Sequence, residues 1–309
     1  MVIGISGGID SAVNAALYRS VLPAENLLLV NTPTRFNSET TKNLARRLAE
    51  NLEAPFVELP IDSFINETVS QIDDLQIPSP SDMKTLHLTG FMKENIQARD
   101  RSTRILATLS SAFGGIFTCN ANKTELTVGY GTLYGDLSGA LAATADLWKH
   151  QIYALGRTLN RYFDKNMIPD EIFTVRPSAE LSENQDITKG LGDPLIYEYH
   201  DFLFRSFIEP WNRITPEEIL TWYSENCLEE KLGTPVSIKS IFKTHHDFIT
   251  DLEKWWNLFA GFAVAKRIQA PPLLAVSRRP YGYDLRESQI APYYTDTYIH
   301  LKNSLLSNG

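Results

Sequence analysis

Ile5-Ser6-Gly7-Gly8-Ile9-Asp10-Ser11 lies where one periodicity gives way to another. Residues 2–5 are mostly bulky and β-branched, as in a buried strand, whereas residues 12–22 carry apolar side chains at helical spacing. The loop between them is a strand-to-helix turn. Such a turn aims successive backbone N–H groups and a helix N-terminus at one point, which makes a site for an anion. Gly7 and Gly8 let the backbone approach a bulky phosphate, Ser6 and Ser11 offer hydroxyl donors, and Asp10 can hold the Mg2+ that accompanies a polyphosphate. A plain tight turn would also use Ser-Gly-Gly, but Asp10 and Ser11 add two functional groups at the helix start. Other phosphate motifs do not fit. Gly-x-x-x-x-Gly-Lys-Ser/Thr is absent, and Gly129-x-Gly131-x-x-x-Gly135 is one residue too long for a dinucleotide fingerprint.

Outward from the loop, residues 26–33 hold the apolar run Leu27-Leu28-Leu29-Val30, a buried strand. Residues 37–51 place Leu44 and Leu48 on one helical face, residues 55–61 read as a third strand, and residues 63–72 as a further helix. This alternation predicts a doubly wound α/β fold, a mainly parallel sheet with helices on both faces and ligands at the carboxyl ends of its strands. Residues 76–90, with Pro78, Ser79, Pro80, Ser81 and Asp82, predict a mobile loop, and residues 91–113 a helix. Residues 116–119 predict another buried strand and residues 146–163 another helix. Beyond Pro169 the chain is broken by Pro177, Gly190, Gly192, Pro194 and Pro210. A helix returns at Thr215-Pro216-Glu217-Glu218, a capping box with proline at the first position, and residues 247–263 predict one more. The extension is mostly helical.

Composition narrows the setting. The 309 residues are 43% hydrophobic, enough to bury a core, and the formal net charge of −8 argues against a surface that tracks nucleic acid. Two cysteines, Cys119 and Cys227, are too few for a disulfide framework. No signal peptide and no apolar run of membrane-spanning length is visible, so the expectation is a cytoplasmic protein with neither nucleic-acid nor membrane partners.

Ser6-Gly7-Gly8-x-Asp10-Ser11 resembles the pyrophosphate-binding loop of the PP-loop ATP pyrophosphatases. Together with Glu94-Asn95-Ile96-Gln97-Ala98-Arg99, the block from Asn122-Lys123-Thr124-Glu125 to Gly135-Asp136, and Asp146-Leu147-Trp148-Lys149, it is similar in order and spacing to NAD synthetase. The resemblance is dense to about residue 157, resumes at Pro177-Ser178-Ala179-Glu180-Leu181, fades across residues 187–264 and closes with Lys266-Arg267 and a proline pair. It implies a Rossmann-like fold of the adenine nucleotide alpha hydrolase kind. Residues 1–309 would form one synthetase-like domain, with the PP-loop core in 1–165 and the extension, ending in a basic tail, in 166–309.

The activity implied by the resemblance is amidation of nicotinate adenine dinucleotide. Its carboxylate attacks the α-phosphate of ATP, pyrophosphate leaves, and ammonia displaces AMP to give NAD. On that reading Ser6, Gly7, Gly8 and Ser11 hold pyrophosphate, Asp10 and Glu125 are oxygen ligands for Mg2+, and Lys149, Lys266 and Arg267 offset phosphate charge. Asn95, Arg99 and Arg101 match the segment that contacts the acid dinucleotide, often at a homodimer interface, and Asp136 would bind ammonium or take its proton. The resemblance also implies a helix ahead of the first strand and, in many members, a fused glutaminase. Ammonia is then expected from free ammonium, a separate glutaminase, or a domain outside this sequence.

Plainer readings stand beside these. Arg99 and Arg101 can be surface ion pairs, Glu125 a helix opener, Lys149 a partner of Asp146, Asp136 a turn residue, and Lys266-Arg267 a solvated patch. His245-His246 lacks metal-ligand spacing. Trp255-Trp256 reads as core or subunit interface and Cys119 as core. Asn120 stands where many members have threonine, which unsettles any nucleotide contact from that position. Another PP-loop amidating enzyme and a non-catalytic nucleotide-binding subunit are the rival functions.

Overall fold

The structure, a computed structural model, describes residues 1–80, 82–182, 189, 192–280 and 292–307. Ser81 and Gly190, two of the expected breakers, lie outside the described residues. Strands β1 (Val2–Gly4), β2 (Leu28–Asn31) and β3 (Phe56–Glu58) pair in parallel in the order β1-β2-β3. On the other side of β1 the sheet continues through single parallel bridges, Val2 with Phe117, Thr118 with Leu141, and Ala142 with Leu273. The strand expected at 116–119 is thus present as an extended run between two neighbours. Val2 N–H donates to Ile116 O at 2.8 Å, and Cys119 N–H to Leu141 O at 3.0 Å.

Both faces are covered, which is why the strands are apolar without alternation. Ile3, Ile5, Leu27 and Leu29 pack on helices α1 (Ile9–Arg19) and α2 (Glu39–Leu52). Val2, Leu28 and Val30 face Leu106 on the opposite side. Helix α3 (Asp62–Ile72) follows β3. The expected mobile loop at 76–90 is instead an exposed antiparallel hairpin, β4 (Gln76–Pro78) with β5 (Met83–Thr85). Its edges carry the prolines, where a missing N–H is tolerated.

The expected helix 91–113 is divided into α4 (Gly90–Arg99), a π-helical stretch Asp100–Leu106, and α5 (Ala107–Ala112). The wider turns coincide with Arg101 reaching the sheet, where its Nε donates to Thr32 O at 3.2 Å. Helices α6 (Lys123–Val128) and α7 (Lys149–Tyr162) complete the core region.

The remaining helices are α8 (Tyr197–Ile208), α9 (Pro216–Ser224), α10 (Leu228–Leu232), α11 (Ile238–Ile241), α12 (His245–Ala260), α13 (Ala263–Gln269) and α14 (Asp296–Ser307). They enclose an aromatic core of Tyr199, Phe204, Phe207, Phe248 and Trp255. Thr215 caps α9 through the reciprocal pair with Glu218 that the sequence announces. Helix α12 begins two residues earlier than expected because Thr244 and Asp247 form a capping box, and it stops before Gly261. Residues 166–309 do not stand apart from the core region, since Leu273 extends the sheet beside Ala142.

Candidate active site

Gly7 has φ +86°, and a Cβ there would lie 2.2 Å from Thr41 O, so only glycine lets β1 turn into α1 under the first turn of α2. Ser6 N–H donates to Ser11 Oγ at 3.2 Å, Ser11 Oγ to Gly8 O at 3.0 Å, and Gly8 N–H to Ser6 Oγ at 3.3 Å. Gly8 is the N-cap of α1 and supplies no side-chain cap, so the first helical amides are not closed off by one. The loop is a preformed cradle for an anion.

Beside it, Lys149 at the first turn of α7 places Nζ 2.5 Å from Asp10 Oδ2 and 3.9 Å from Glu125 Oε1. Asn122 Nδ2 donates to the other Asp10 oxygen at 2.8 Å. Glu125 does two things: Oε2 accepts from Asn122 N–H at 3.1 Å, closing a capping box on α6, while the carboxylate still faces Asp10 and Lys149. Burial pushes the Glu125 carboxyl well up, Asp10 adds to this, and Lys149 opposes it. Burial alone would lower the Lys149 ammonium, but Asp10 and Glu125 outweigh it and hold it above its ordinary value. Lys149 therefore stays charged and does not pair with Asp146, contrary to the plainer sequence reading.

Two cavities of about 230 and 140 Å³ open on this cluster, a third of about 210 Å³ adjoins them, and Asp136 lines all three. Asp10, Ser6, Ser11 and Glu125 line the first two. Lys149 and Gly8 line the second, which lies over the cradle. The first also touches Asn31 and Thr32 at the carboxyl end of β2, together with Arg101 and Asn120. Burial pulls the Arg101 guanidinium down to about 10, with Asp136 and Glu180 opposing. Asn120 is anchored by donating to Gly4 O at 2.7 Å. The third cavity has apolar walls from Phe91, Trp255 and Leu258, with Asn95 and Lys266 among its polar groups.

The remaining expected residues separate. Asn95 accepts from the Thr132 hydroxyl at 2.7 Å, and Lys266 Nζ donates to Gly129 O at 2.6 Å, both beside the third cavity. Arg99 lines none of these cavities, and its Nε donates to Leu133 O at 3.1 Å. Arg101 is half-buried and lines the first cavity, with Nε donating to Thr32 O and Nη2 to Asn37 Oδ1, so it is no surface ion pair. Arg267, expected to offset phosphate charge, lies elsewhere. It is buried against α12, with Nη1 donating to Thr127 O at 2.6 Å and Nη2 to Phe259 O at 2.9 Å, so this side chain ties helices together and lines none of these three cavities. Burial raises the Asp136 carboxyl, and its Oδ1 accepts from Thr132 N–H at 2.7 Å. His245 bonds to the Tyr223 hydroxyl at 2.9 Å. Among the described residues the one cluster of three metal-type ligands is Asp73, Asp74 and His87, on the surface at the base of the hairpin.

Several residues near the site had no role in the sequence reading. Glu180 accepts from Thr41 Oγ1 at 2.7 Å and from Ser38 N–H at 3.2 Å, and so locks the Pro177–Leu181 motif onto α2. Asp193 accepts from the hydroxyls of Tyr130 (3.1 Å) and Tyr197 (2.8 Å), and the Tyr197 ring lies 4.7 Å from Lys149 Nζ. Asp201 accepts from Thr124 Oγ1 and from the His150 N–H at the start of α7. Asp201, a polar residue inside the apolar helix α8, carried a local signal; Glu180 and Asp193 lie outside any helix and carried none.

Comparison with known proteins agrees with this arrangement. Residues 1–237 match the family described as NAD synthase. The NH3-dependent NAD(+) synthetase of Helicobacter hepaticus is 33% identical over 233 residues, covering 75% of this chain and 79% of that protein. The glutamine-dependent NAD(+) synthetase of Thermotoga maritima is 33% identical over 219 residues, 71% of this chain but 36% of that protein. The chain therefore spans between about a third and a half of the glutamine-dependent relatives it matches. In fold, it superposes on a glutamine-dependent NAD(+) synthetase from Cytophaga hutchinsonii with a TM-score of 0.69 at 19% identity, covering 98% of this chain and 52% of that one. The matched region carries the glycine cradle, α6 and α7 alike, and the chain belongs to the NAD synthase family.

Proposed function

We propose that this protein catalyses ATP-dependent amidation of nicotinate adenine dinucleotide to NAD, with ammonia as the nitrogen donor. The observation that carries this reading is the Asp10–Lys149–Glu125 cluster standing over the Ser-Gly-Gly cradle, where a nucleotide cavity and an apolar cavity meet at Asp136. A carboxylate does not react with ammonia at neutral pH, so it must first be activated. A nicotinate oxygen attacks the α-phosphorus, the bond to the β-phosphate bridging oxygen breaks, and pyrophosphate leaves. Ammonia then attacks the acyl carbon, the carbon–oxygen bond to the adenylate breaks, and AMP leaves as the nitrogen loses a proton.

In this scheme the cradle amides with the Ser6 and Ser11 hydroxyls hold the departing pyrophosphate. Lys149 stabilises negative charge as the bond breaks. Asn95 orients the acid substrate, with Lys266 near the apolar cavity and Arg99, outside the cavities, on the same helix as Asn95. Arg101 borders the nucleoside. Asp136, with its carboxyl raised by burial, receives the ammonium or its proton. Asp10 and Glu125 present oxygen donors on two sides of one cation, and the raised Glu125 carboxyl is what a second positive charge would relieve. This donor set fits Mg2+, with Asp10 and Glu125 holding it. When bound, the ion would neutralise phosphate charge.

The wider setting is also part of the proposal. A homodimer would cover Phe91 and Met92, which α4 exposes beside Asn95. Two free cysteines support a cytoplasmic location. Among the described residues no helix is long and apolar enough to cross a membrane. A glutaminase domain or subunit would supply ammonia when glutamine is the source.

Incubation with ATP, Mg2+, nicotinate adenine dinucleotide and ammonium should yield NAD and AMP in equal amounts. AMP formed only with a different carboxylate acceptor would overturn the substrate, and ATP binding without AMP formation would favour a binding subunit. A solution mass of one chain would remove the homodimer.

A further inference from the structure

Lys149 carries its charge on a flexible four-carbon stem, and an ammonium has no plane to orient it, so its neighbours set the direction it takes. Two of those neighbours come from α8. Tyr197 and Asp201 are four apart and share one face of that helix, which packs against α7. Asp201 is fully buried and fixes the main chain of the lysine. It accepts from His150 N–H at 2.9 Å and from the Thr124 hydroxyl, and the Thr124 oxygen in turn accepts from Lys149 N–H at 3.1 Å. Tyr197 meets the other end of the side chain, with the ammonium over its ring at 4.7 Å from the centroid. Both residues lie in the stretch 187–264, where the likeness to the family motifs fades.

The ring is itself tied down. Its hydroxyl donates to Asp193 at 2.8 Å, the other Asp193 oxygen accepts from the Tyr130 hydroxyl at 3.1 Å, and Asp193 N–H donates to Pro177 O at 3.0 Å. Pro177 opens the segment that Glu180 locks onto α2, the helix packed over Gly7. Swinging the ring away from Lys149 would therefore break a bond between α8 and the wall of the cradle. Elsewhere the ammonium meets Asp10 Oδ2 at 2.5 Å and, beyond hydrogen-bond reach, Glu125 Oε1 at 3.9 Å. An aromatic face attracts an ammonium without taking one of its N–H groups, which leaves donors for phosphate oxygens. Mg2+ held by Asp10 and Glu125 would share those carboxylates with Lys149, and the Tyr197 face is a support that such sharing leaves intact.

We propose that Tyr197 is a positioning residue for Lys149: its ring, anchored by Asp193, aims the ammonium at the phosphates over the cradle. This rests on the ATP reading of the cradle given above. A Tyr197 that serves only the helical core would move stability and act independently of Lys149, so the test is a double-mutant cycle. Inorganic pyrophosphate binding by calorimetry, kcat and KM for ATP in NAD formation, and the melting temperature are measured on the unaltered protein, Tyr197→Leu and Tyr197→Phe. Pyrophosphate binding is measured also on Lys149→Ala with and without Tyr197→Leu. Tyr197→Leu should weaken pyrophosphate about 3- to 10-fold and lower kcat about 10- to 100-fold with KM for ATP little changed. Tyr197→Phe keeps the ring and should recover part of both losses. In Lys149→Ala, adding Tyr197→Leu should change pyrophosphate affinity by less than about 2-fold. If Tyr197→Leu does not fold, Tyr197→Met carries the same measurements. An equal loss with and without Lys149 would overturn the proposal, as would unchanged pyrophosphate affinity in Tyr197→Leu. An unaltered protein that neither binds pyrophosphate nor releases AMP overturns the ATP reading itself, and this proposal with it.

Discussion

Single residues in this protein take partners that their sequence spacing conceals. Lys149 and Asp146 are three apart, the separation at which helix pairs form, yet α7 begins only at Lys149 and the two diverge. Lys149 goes to Asp10, and Asp146 goes to Lys123 at 2.9 Å. The candidate site was legible where a motif fixed several residues together, as in Ser6 to Ser11. It was illegible where one side chain had to choose between solvent, phosphate and backbone, as Arg267 did. Asp10→Asn should leave the fold intact and lower AMP release by about 100- to 1,000-fold, because it removes the charge opposite Lys149. Full activity in that variant would take Asp10 out of the mechanism. Asp136 tests a carboxyl that lines the cavities yet stays open to solvent. Its folded-state value is raised by burial above the ordinary 3.8, so its contribution to stability is present in acid and lost as pH rises through the raised value. Asp136→Asn should therefore lose less stability than the unaltered protein as pH rises above 3.8, while its amidation rate falls. An unchanged pH dependence of the melting temperature would contradict the raised carboxyl. Burial also pushes the Cys119 thiol up to about 12, so a thiol reagent should modify Cys227 in the folded protein and reach Cys119 only on unfolding.

At the scale of elements, strands and helices were readable because burial on both faces gives continuous apolar runs and amphipathic stripes. Leu27 to Val30 and Leu44 with Leu48 are of this kind, and both lie in the core. Boundaries shifted where caps decide them, as at Thr244, since a cap is a single hydrogen-bonding choice with no periodicity. The β4–β5 hairpin was missed because proline-rich, exposed strands have no buried face to alternate. The π-helical stretch was missed because Arg101 gains its inward position from tertiary contact with Thr32, which leaves no local pattern. The β1–α1 turn is the element on which the site depends. Gly7→Ala would combine φ +86° with a Cβ 2.2 Å from Thr41 O, so α2 or the loop must move. We expect a loss of about 1–3 kcal/mol in stability together with loss of ATP binding, read by thermal melting with and without nucleotide. Nucleotide-induced stabilisation equal to that of the unaltered protein would show that the loop tolerates the side chain.

Across the whole molecule, the sequence changes character beyond Pro169, but the chain returns to the site it left. The tail passes beside the sheet at Leu273 and then engages Asp146: Val276 N–H and Ser277 N–H donate to Oδ2 at 2.7 and 2.6 Å, and Ser277 Oγ to Oδ1 at 2.7 Å. The Lys123 ammonium lies between Asp146, Glu209 at 3.0 Å and Ser277 at 2.9 Å, with Lys123 and Asp146 fully buried. One charged knot thereby joins α6, the approach to α7, α8 and the tail, and α6 and α7 carry Glu125 and Lys149. No periodicity in the sequence links residues so far apart, so this closure was not readable there. A buried pair of this kind is costly to break, because the remaining partner keeps an uncompensated charge. Asp146→Ala should destabilise the protein by about 3–5 kcal/mol and free the tail, exposing the Arg278–Arg279 bond to trypsin sooner than in the unaltered protein. Lys123→Met with Asp146→Asn removes both charges and should be less destabilising than Asp146→Ala alone. If the double variant is the weaker of the two, the knot contributes net stability beyond charge compensation. If trypsin cuts the tail at the same rate in Asp146→Ala and the unaltered protein, Asp146 does not hold it.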